Sequence, residues 1–255
     1  MNSLDETVYK LWYGPFRRPF RAMARRVLRG QPQILLGPLK GRHYKKAELP
    51  FSLGIYELHI QLAVVDALAG GDVFYDVGAN NGYLSLLGAQ RVGPNGFVYA
   101  FEPLPPNISL LQELMSENGI DNYKLVPHAI SNVSGAVDFY FGDSNATPSL
   151  ISGNRDQRLS ILTTTLDQFA AEYRWPNVIK MDIEGAEVMA LEGASKLLAS
   201  DRAPSWIIEI HSREIEHSVN DLLVSNGFHI NALLPPYPNP KLYPRQILAW
   251  KNRRI

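Results

Sequence analysis

Residues 71–82 read G-D-V-F-Y-D-V-G-A-N-N-G, and this stretch decides the fold of the chain. A short apolar run ends in Asp76, and Gly78, Asn80 and Gly82 follow before an apolar helical pattern begins. A strand, a glycine-rich turn and a helix in this order are typical of a nucleotide-binding turn. We expect Gly78 to let a ligand approach the main chain, and Gly82 to let the helix begin close to the strand with its free N–H groups facing the ligand.

The spacing of this turn is Gly-x-Asn-x-Gly, whereas dinucleotide enzymes have Gly-x-Gly-x-x-Gly. The difference favours an adenosyl ligand with an amino-acid tail over a pyrophosphate. The missing third glycine argues against one alternative, a nicotinamide-dependent oxidoreductase. An ordinary glycine-rich turn between a strand and a helix explains the isolated motif equally well, so the function depends on what other positions add.

Composition limits the class of protein. The chain has 255 residues, 45% of them hydrophobic, which is enough for one α/β domain with extensions. It contains no cysteine, which excludes disulfides, zinc–thiolate sites and thiol catalysis. Charge is uneven: residues 1–48 hold 11 Lys and Arg against 3 Asp and Glu, and the remainder holds 14 against 22. The basic lead segment either touches something anionic or packs on the acidic body.

The lead segment contains a predicted basic amphipathic helix over residues 20–29, and two short strands at 33–36 and 42–45 joined by a Gly/Pro turn. Arginine occurs at positions 17, 18, 21, 25, 26 and 29. The helix either packs its apolar face on the domain, contacts a membrane surface, or binds an anionic polymer such as nucleic acid or an acidic glycan. The chain has no apolar run of about 18 residues and no signal-peptide core. We therefore expect a cytoplasmic protein, with peripheral contact at the inner membrane face as one role of this helix.

Strands and helices alternate on both sides of the opening motif. A helix predicted over 55–68 has Glu57 near its start, either as a favourable first-turn charge or as an acid that faces the ligand. A strand predicted at 97–101 is followed by Glu102, about 20 residues past the glycine turn, where an acid can bind ribose hydroxyls. A third strand is followed by His128, which either lines an adenine pocket or is an ordinary loop histidine.

A second group of polar residues follows the strand predicted at 177–181, in the run K-M-D-I-E-G-A-E. Alternation places Lys180, Asp182 and Glu184 on one side, at the carboxyl edge where such sheets bind ligands. Glu187 begins the next helix, so three acids and a lysine fall within eight residues. This density favours a functional site over a simple helix cap.

The rest of the chain completes the alternation. A strand predicted at 206–210 is followed by His211, a candidate general base. The polar segment 142–157 is predicted to be a lid or substrate loop. Two last strands, at 228–233 and 245–250, are separated by a Pro-rich loop. The pattern predicts an α/β fold with a doubly wound, seven-stranded sheet and an antiparallel ending.

Four motifs in this order, D-V-G-A-N-N-G, G-P-N-G-F-V-Y-A-F-E-P, K-M-D-I-E-G-A-E and I-I-E-I-H, resemble the FkbM family of S-adenosylmethionine-dependent methyltransferases. The resemblance covers residues 53–211 and implies the class I, Rossmann-like methyltransferase fold. It also implies S-adenosylmethionine as cofactor and methyl transfer to a hydroxyl, often of a sugar or a natural product. We accordingly divide the chain into a basic N-terminal extension, residues 1–52, and a methyltransferase domain, residues 53–255.

The resemblance also implies roles for the motif residues. The glycine turn would hold the methionine tail of the cofactor and Glu102 its ribose. The candidate cofactor-binding residues are Glu57, Asp76, Gly78, Asn80, Gly82, Glu102 and His128. Asp182 would lie beside the sulfonium and the acceptor, and Asp182 and His211 are the candidate bases. Glu184 and Glu187 would support them or complete a divalent-metal site, although structural ion pairs with Lys180 explain the same acids equally well.

Three functions compete with O-methylation of a sugar, a glycan or a small metabolite. An RNA methyltransferase would use the basic N-terminal arm, but the acidic body and the absence of an Asn-Pro-Pro-Tyr box argue against nucleic acid as partner. A nicotinamide-dependent oxidoreductase lacks its third glycine. A non-catalytic binding module would tolerate the replacement of Asp182 by alanine.

Overall fold

The computed structural model describes residues 3–28, 32–44, 49–140, 158–233 and 244–251. Its strands are β1 Val73–Val77, β2 Phe97–Phe101, β3 Tyr123–Val126, β4 Ala129–Ile130, β5 Gly135–Tyr140, β6 Arg158–Thr164, β7 Val178–Met181, β8 Ser205–Ile210, β9 His229–Leu233 and β10 Arg245–Trp250. Its helices are α1 Ser3–Tyr13, α2 Arg17–Val27, α3 Leu49–Leu53, α4 Leu58–Ala67, α5 Tyr83–Val92, α6 Pro105–Glu117, α7 Leu166–Glu172, α8 Glu187–Glu192, α9 Ser195–Ala199 and α10 Arg213–Ser225. The strands predicted at 97–101 and 245–250 are confirmed at both ends.

The main sheet has seven strands in the order β3-β2-β1-β7-β8-β10-β9. Neighbours from β3 to β8 pair in parallel, and β10 lies antiparallel between β8 and β9. The predicted doubly wound sheet with an antiparallel ending is therefore confirmed. The strand order reverses at β1, and sheets of this kind bind ligands in the crevice beyond the carboxyl ends of the strands at such a point.

Helices cover both faces of the sheet, so its central strands are buried on both sides. Every residue of β1 is buried, and alternate residues join different cores. Tyr75 and Val77 pack with helices α7 to α10, and Phe74 packs with α4, α5 and α6. Alternation also turns the side chain of Asp76 toward α5, where Ser85 is its partner.

A second, three-stranded sheet, β4-β6-β5, lies between β3 and α7 in the chain. The alternation of strands and helices in the sequence does not predict this second sheet. The segment 142–157, predicted to be a lid or substrate loop, lies outside the described residues. So does most of the Pro-rich loop that precedes β10.

The N-terminal elements differ in detail from their predictions. The two strands expected at 33–36 and 42–45 are reduced to a single antiparallel bridge between Gln33 and His43. The helix expected over 55–68 begins at Leu58, because Glu57 adopts a left-handed conformation at its N-cap. None of the helices in the described ranges combines the length and the apolar character that crossing a bilayer requires.

Helices α1 and α2 pack against the domain through a third apolar core. Tyr9, Trp12 and Ala24 contribute buried side chains, and they pack with Leu53 and Ile55. Helix α3 spans residue 52, the predicted boundary between the N-terminal extension and the methyltransferase domain. The division into these two parts stays a prediction.

Candidate active site

The strands β1, β2 and β7 end together at one edge of the sheet. Their register aligns Val77 with Phe101 on one side and with Met181 on the other, so the residues that follow emerge side by side. Main-chain hydrogen bonds continue past the strand ends, from Gly78 N to Phe101 O and from Asp182 N to Val77 O, both 3.0 Å long. The glycine turn and the acidic run, far apart in sequence, are therefore neighbours.

Gly78 is required by a close approach of two backbones. It adopts a φ of +78°, and a Cβ at this position would lie 1.8 Å from the carbonyl oxygen of Asp182. Gly82 has a different neighbour from the one expected. A Cβ there would lie 2.7 Å from Cγ of Leu111 on α6, so the missing side chain brings α5 close to α6 rather than to the strand. The contact of both glycines with a ligand stays a prediction.

Glu102 is held in place by main-chain donors. Its carboxylate accepts hydrogen bonds from the N–H of Asn80, at 2.8 Å, and from the N–H of Leu104, at 3.0 Å. Asn80 presents its N–H from a left-handed conformation with a φ of 49°. Burial raises the pKa of Glu102, and the two N–H groups oppose this effect. Each oxygen has a second lone pair, so this fixed carboxylate can still accept a hydroxyl donor.

Asp76 and Lys180 form a buried pair beneath the turn. Asp76 is fully buried, and its Oδ2 accepts a hydrogen bond of 2.5 Å from the Ser85 hydroxyl. Nζ of Lys180 lies 3.8 Å from Oδ1 of Asp76, 3.5 Å from Oδ2 of Asp182 and 3.4 Å from the Gly78 carbonyl oxygen. Burial raises the pKa of Asp76, which Lys180 and Ser85 oppose. Burial alone would lower the pKa of Lys180, but the surrounding carboxylates, Asp182 foremost, raise it. Lys180 therefore stays charged and links the turn to the acidic run.

His211 joins the acids that follow β7. Its Nδ1 lies 2.8 Å from Oε1 of the fully buried Glu187. Its Nε2 lies 3.3 Å from Glu184, 3.6 Å from Asp182 and 3.8 Å from Glu209. Burial lowers the pKa of His211, but the Glu187 hydrogen bond and the other carboxylates outweigh it and raise the pKa to about 9. In this arrangement the imidazole is protonated at neutral pH and cannot accept a proton.

Three of these side chains also have the geometry of a cation site. One ligand atom from each of Asp182, Glu184 and His211 lies within 4.8 Å of the others. Glu187 accepts from Nδ1 and so turns Nε2 toward the two carboxylates, as the carboxylate behind a metal-bound histidine does. The cluster can therefore hold either an imidazolium or, with Nε2 deprotonated, a divalent cation.

Glu209 is a member of this group that the sequence analysis missed. Its side chain is 11% exposed and accepts a hydrogen bond of 2.9 Å from Gln246 of β10. Burial, followed by the charges of Asp182 and Glu57, raises the pKa of Glu209 to about 8. Burial likewise raises the pKa of Glu57, and Lys180 opposes it. An acid inside the otherwise apolar run of β8 was the available signal.

His128 is half-buried in the loop after β3. Its N–H donates to the Val126 carbonyl at 2.8 Å, and its Nδ1 is buried without a hydrogen-bond partner among the described residues. The structure does not bring it into contact with the acidic group, and its place beside an adenine stays a prediction.

Among the described residues at this edge, the carboxylates outnumber the cations. The acids are Glu57, Asp76, Glu102, Asp182, Glu184 and Glu187, and the cations are Lys180 and protonated His211. Glu209, with its pKa of about 8, is mostly protonated at neutral pH and adds little charge. This excess of negative charge fits a ligand that carries positive charge. S-Adenosylmethionine, with its sulfonium and ammonium groups, meets this requirement, and Oδ1 of Asp76 is buried without a hydrogen-bond partner among the described residues.

Comparison with known proteins decides the family. Residues 76–230, more than half of the chain, match the family model described as the methyltransferase FkbM domain. The chain belongs to the FkbM methyltransferase family. The family model supports S-adenosylmethionine-dependent methyl transfer, as the motifs predict, and argues against a nicotinamide-dependent oxidoreductase. The match begins at Asp76 and contains the turn, Glu102, the acidic run and His211.

Curated relatives of this FkbM-family chain are distant. It is 29% identical over 160 residues to the hexuronic acid methyltransferase AglP of Haloferax volcanii, an alignment covering 60% of this chain and 61% of the relative. It is 33% identical over 97 residues to a protein-L-isoaspartate O-methyltransferase of Ignicoccus hospitalis, covering 36% of this chain and 46% of the relative. The chain thus spans about three fifths of the first relative and less than half of the second.

Solved structures confirm the fold. A precorrin-6Y C5,15-methyltransferase from Geobacter metallireducens aligns with a TM-score of 0.51 at 12% identity, covering 76% of this chain and 89% of that one. An rRNA methylase from Streptococcus thermophilus aligns with a TM-score of 0.50 at 14% identity, covering 78% of this chain and 96% of that one. At such low identity these likenesses establish the class I methyltransferase fold alone.

Proposed function

We propose that this methyltransferase transfers its methyl group to a hydroxyl oxygen of a sugar, a glycan or a small metabolite. The observation that carries the proposal is the carboxylate of Asp182, which lies directly beside the glycine turn at the carboxyl edge of the sheet. The curated relative named as a hexuronic acid methyltransferase supports a carbohydrate acceptor. The acidic edge disfavours a nucleic acid, because its phosphates would meet a group of carboxylates.

The cofactor supplies an electrophilic methyl group on a cationic sulfur. When bound, it would give this methyl to the acceptor oxygen, and its sulfur would leave as a neutral thioether with the bonding electron pair. The hydroxyl proton would go to a base of this chain. Gly78, Asn80, Gly82 and the Asp76–Lys180 pair are the residues we propose around the methionine tail. Glu102 would accept from the ribose hydroxyls, and Glu57 and His128 would line the remainder of the cofactor site.

Asp182 is the base that the geometry supports best. Its side chain is 22% exposed, so an acceptor can reach it, and its main chain touches Gly78. His211 is protonated in the arrangement observed, and Glu187 is fully buried behind it. We therefore assign positioning roles to His211 and Glu187, which hold the Asp182 carboxylate toward the acceptor.

A divalent cation at Asp182, Glu184 and His211 is the alternative organisation of this edge. Such an ion would be bound by the acceptor oxygen as well as by the three side chains and would lower the pKa of the hydroxyl. Addition of a chelator separates the two arrangements. Activity that survives chelation supports Asp182 acting alone, and activity restored by added Mg²⁺ or Mn²⁺ supports the ion.

The test is a methyl-transfer screen with labelled cofactor against neutral sugars, uronic acids and hydroxylated metabolites. A methyl ether survives mild alkali, whereas the methyl ester that a carboxyl acceptor would give is hydrolysed, so the label reports which oxygen was methylated. We expect Asp182→Asn to lower kcat about 10²- to 10⁴-fold, the usual contribution of a general base.

The matched control is Asp221→Asn, the same change at an exposed position on α10. Cofactor binding, measured by calorimetry, should remain in both variants. An alkali-labile product, or full activity of the Asp182→Asn variant, would contradict the proposal.

A further inference from the structure

Helix α2 carries a strongly basic surface. Its sequence is RRPFRAMARRV, with no acidic residue. Arg17, Arg18, Arg25 and Arg26 are exposed, and none of the ion pairs between described residues involves them. The four guanidinium groups therefore project into solvent from a helix of three turns, without carboxylates among the described residues to neutralise them.

Large apolar side chains are exposed on the same helix. Phe16, at its N-cap, is 67% exposed, and Met23 is 57% exposed. Exposed apolar groups next to arginines are unfavourable in water, whereas at a bilayer they insert below the head groups that the arginines bind. At about 100° per residue, Phe16 and Met23 lie along one flank of the solvent-exposed side of α2, with Arg26 beside them, and Arg18 and Arg25 lie along the other flank. We call these exposed residues, together with Arg17, the α2 surface.

The opposite side of α2 is firmly packed. Ala24 is buried in the third core, and the rings of Phe20 and Trp12 meet edge to face with their centroids 6.3 Å apart. Arg21 is turned inward, with its guanidinium 4.8 Å from the Trp12 ring and its Nε donating to the Trp12 carbonyl oxygen. Because α2 is fixed on α1 and the domain, the α2 surface is presented in one orientation.

Helix α1 connects the α2 surface to the candidate active site. Burial raises the pKa of both Tyr9 and Tyr13. The nearby charge of Glu57 is the next cause for Tyr13, and for Tyr9 it follows the contribution of Tyr13. Glu57 in turn interacts with Lys180 and Asp182. Helix α1 packs with α2 through Ala24 and with Ile55 and Leu58 on either side of Glu57, so it lies between α2 and the side of the site that carries Glu57.

We propose that the α2 surface docks the enzyme on an anionic lipid bilayer. The arginines bind the anionic head groups, and Phe16 and Met23 enter the boundary between head groups and acyl chains. An RNA or an acidic glycan would neutralise the arginines but would leave both apolar side chains in water. The proposal concerns where the enzyme works and does not depend on which oxygen it methylates.

The test is co-sedimentation of the full chain with vesicles of phosphatidylcholine alone or of phosphatidylcholine and phosphatidylglycerol in equal amounts. We expect binding only to the anionic vesicles. Each basic residue near such a surface is worth about a fivefold change in binding, so Arg25→Glu with Arg26→Glu should weaken it at least about 25-fold. Phe16→Ser with Met23→Ser should also weaken it, and serine is a favourable N-cap that keeps the helix start intact.

A double variant with the same change of charge is the control. Lys196→Glu and Arg202→Glu alter two exposed residues in and after α9. This variant should bind vesicles like the wild type, and all variants should keep the circular-dichroism spectrum and the cofactor affinity of the wild type. If the control lost as much binding, the net charge of the protein, and not the α2 surface, would explain the effect, and the proposal would be overturned. The proposal would also be overturned if the Phe16→Ser, Met23→Ser variant bound vesicles as well as the wild type and the wild type bound RNA more strongly than vesicles.

Discussion

Replacing Glu187 by glutamine should lower the pKa of His211. Glutamine has nearly the same shape and can still accept from Nδ1, but it removes the negative charge that lies 2.8 Å from the ring. A hydrogen bond to a charged group is worth about 1.5–3 kcal/mol, which is about one to two pKa units. We therefore expect the pKa of His211 to fall from about 9 by at least one unit in the Glu187→Gln variant.

The same change alters how stability depends on pH. The pKa of His211 in the folded protein, about 9, lies above its ordinary value of 6.5, and this difference corresponds to about 3 kcal/mol. A raised folded-state pKa stabilises the protein fully below pH 6.5, and this stabilisation is lost as the pH rises through about 9. The free energy of unfolding of the wild type should therefore fall across this window, and that of Glu187→Gln should fall less.

Two measurements with a chelator present test this reasoning. NMR titration of the imidazole gives the pKa of His211 directly, and urea unfolding below pH 6.5 and above pH 9 gives the stability. Glu192→Gln is the matched control, because Glu192 is exposed at the end of α8 and bonds only Asn132 among the described residues. A wild-type His211 that titrates near 6.5, or an equal pKa in the wild type and Glu187→Gln, would refute the geometry of the cluster.

Two further substitutions probe the turn and the pair beneath it. Gly78→Ala should lower the affinity for S-adenosylmethionine at least tenfold in calorimetry, because the added Cβ would collide with the Asp182 carbonyl oxygen. The control is Gly119→Ala, which also has a positive φ, +62°, but has open space around the added Cβ. This control should leave the affinity unchanged. Lys180→Met should cost about 3–5 kcal/mol in urea unfolding, because it leaves the buried Asp76 carboxylate without its counter-ion, and adding Asp76→Asn should restore part of the loss. An undiminished affinity of Gly78→Ala, or a Lys180→Met variant as stable as the wild type, would contradict these roles.

The sequence predicts the central sheet well because local signals mark each strand end. The run before Gly78 is apolar and is followed at once by turn residues, and the acids at Glu102 and Asp182 come directly after strands. Parallel strands with helical crossovers bring such ends to one edge, so their proximity follows from the order of elements. The strand–turn–helix order is therefore enough to bring the turn and the acids together.

The partners of these residues could not be predicted, because they depend on contacts between distant elements. Gly82 is required by Leu111 on α6, which no local pattern reveals. Glu209 belongs to the site because Gln246 of β10 binds its carboxylate, and because it follows the last pair of β7 and β8, Met181 with Ile208, and is therefore level with Asp182. The conformation of Glu57, with a φ of 40°, likewise shortens a helix that periodicity alone extends to residue 55.

The surplus of carboxylates at the sheet edge connects two properties of the reaction. These are the charge of the acceptor and the requirement for a metal ion. The cofactor brings a sulfonium and an ammonium against its one carboxylate, which offsets only part of the negative charge at the edge. A neutral sugar adds none, so its hydroxyl can approach Asp182 without a further cation. A uronic acid would add another carboxylate to this edge, and a divalent ion on Asp182, Glu184 and His211 would offset the added repulsion. Methylation of uronic acids should therefore depend on a metal, whereas methylation of neutral sugars need not.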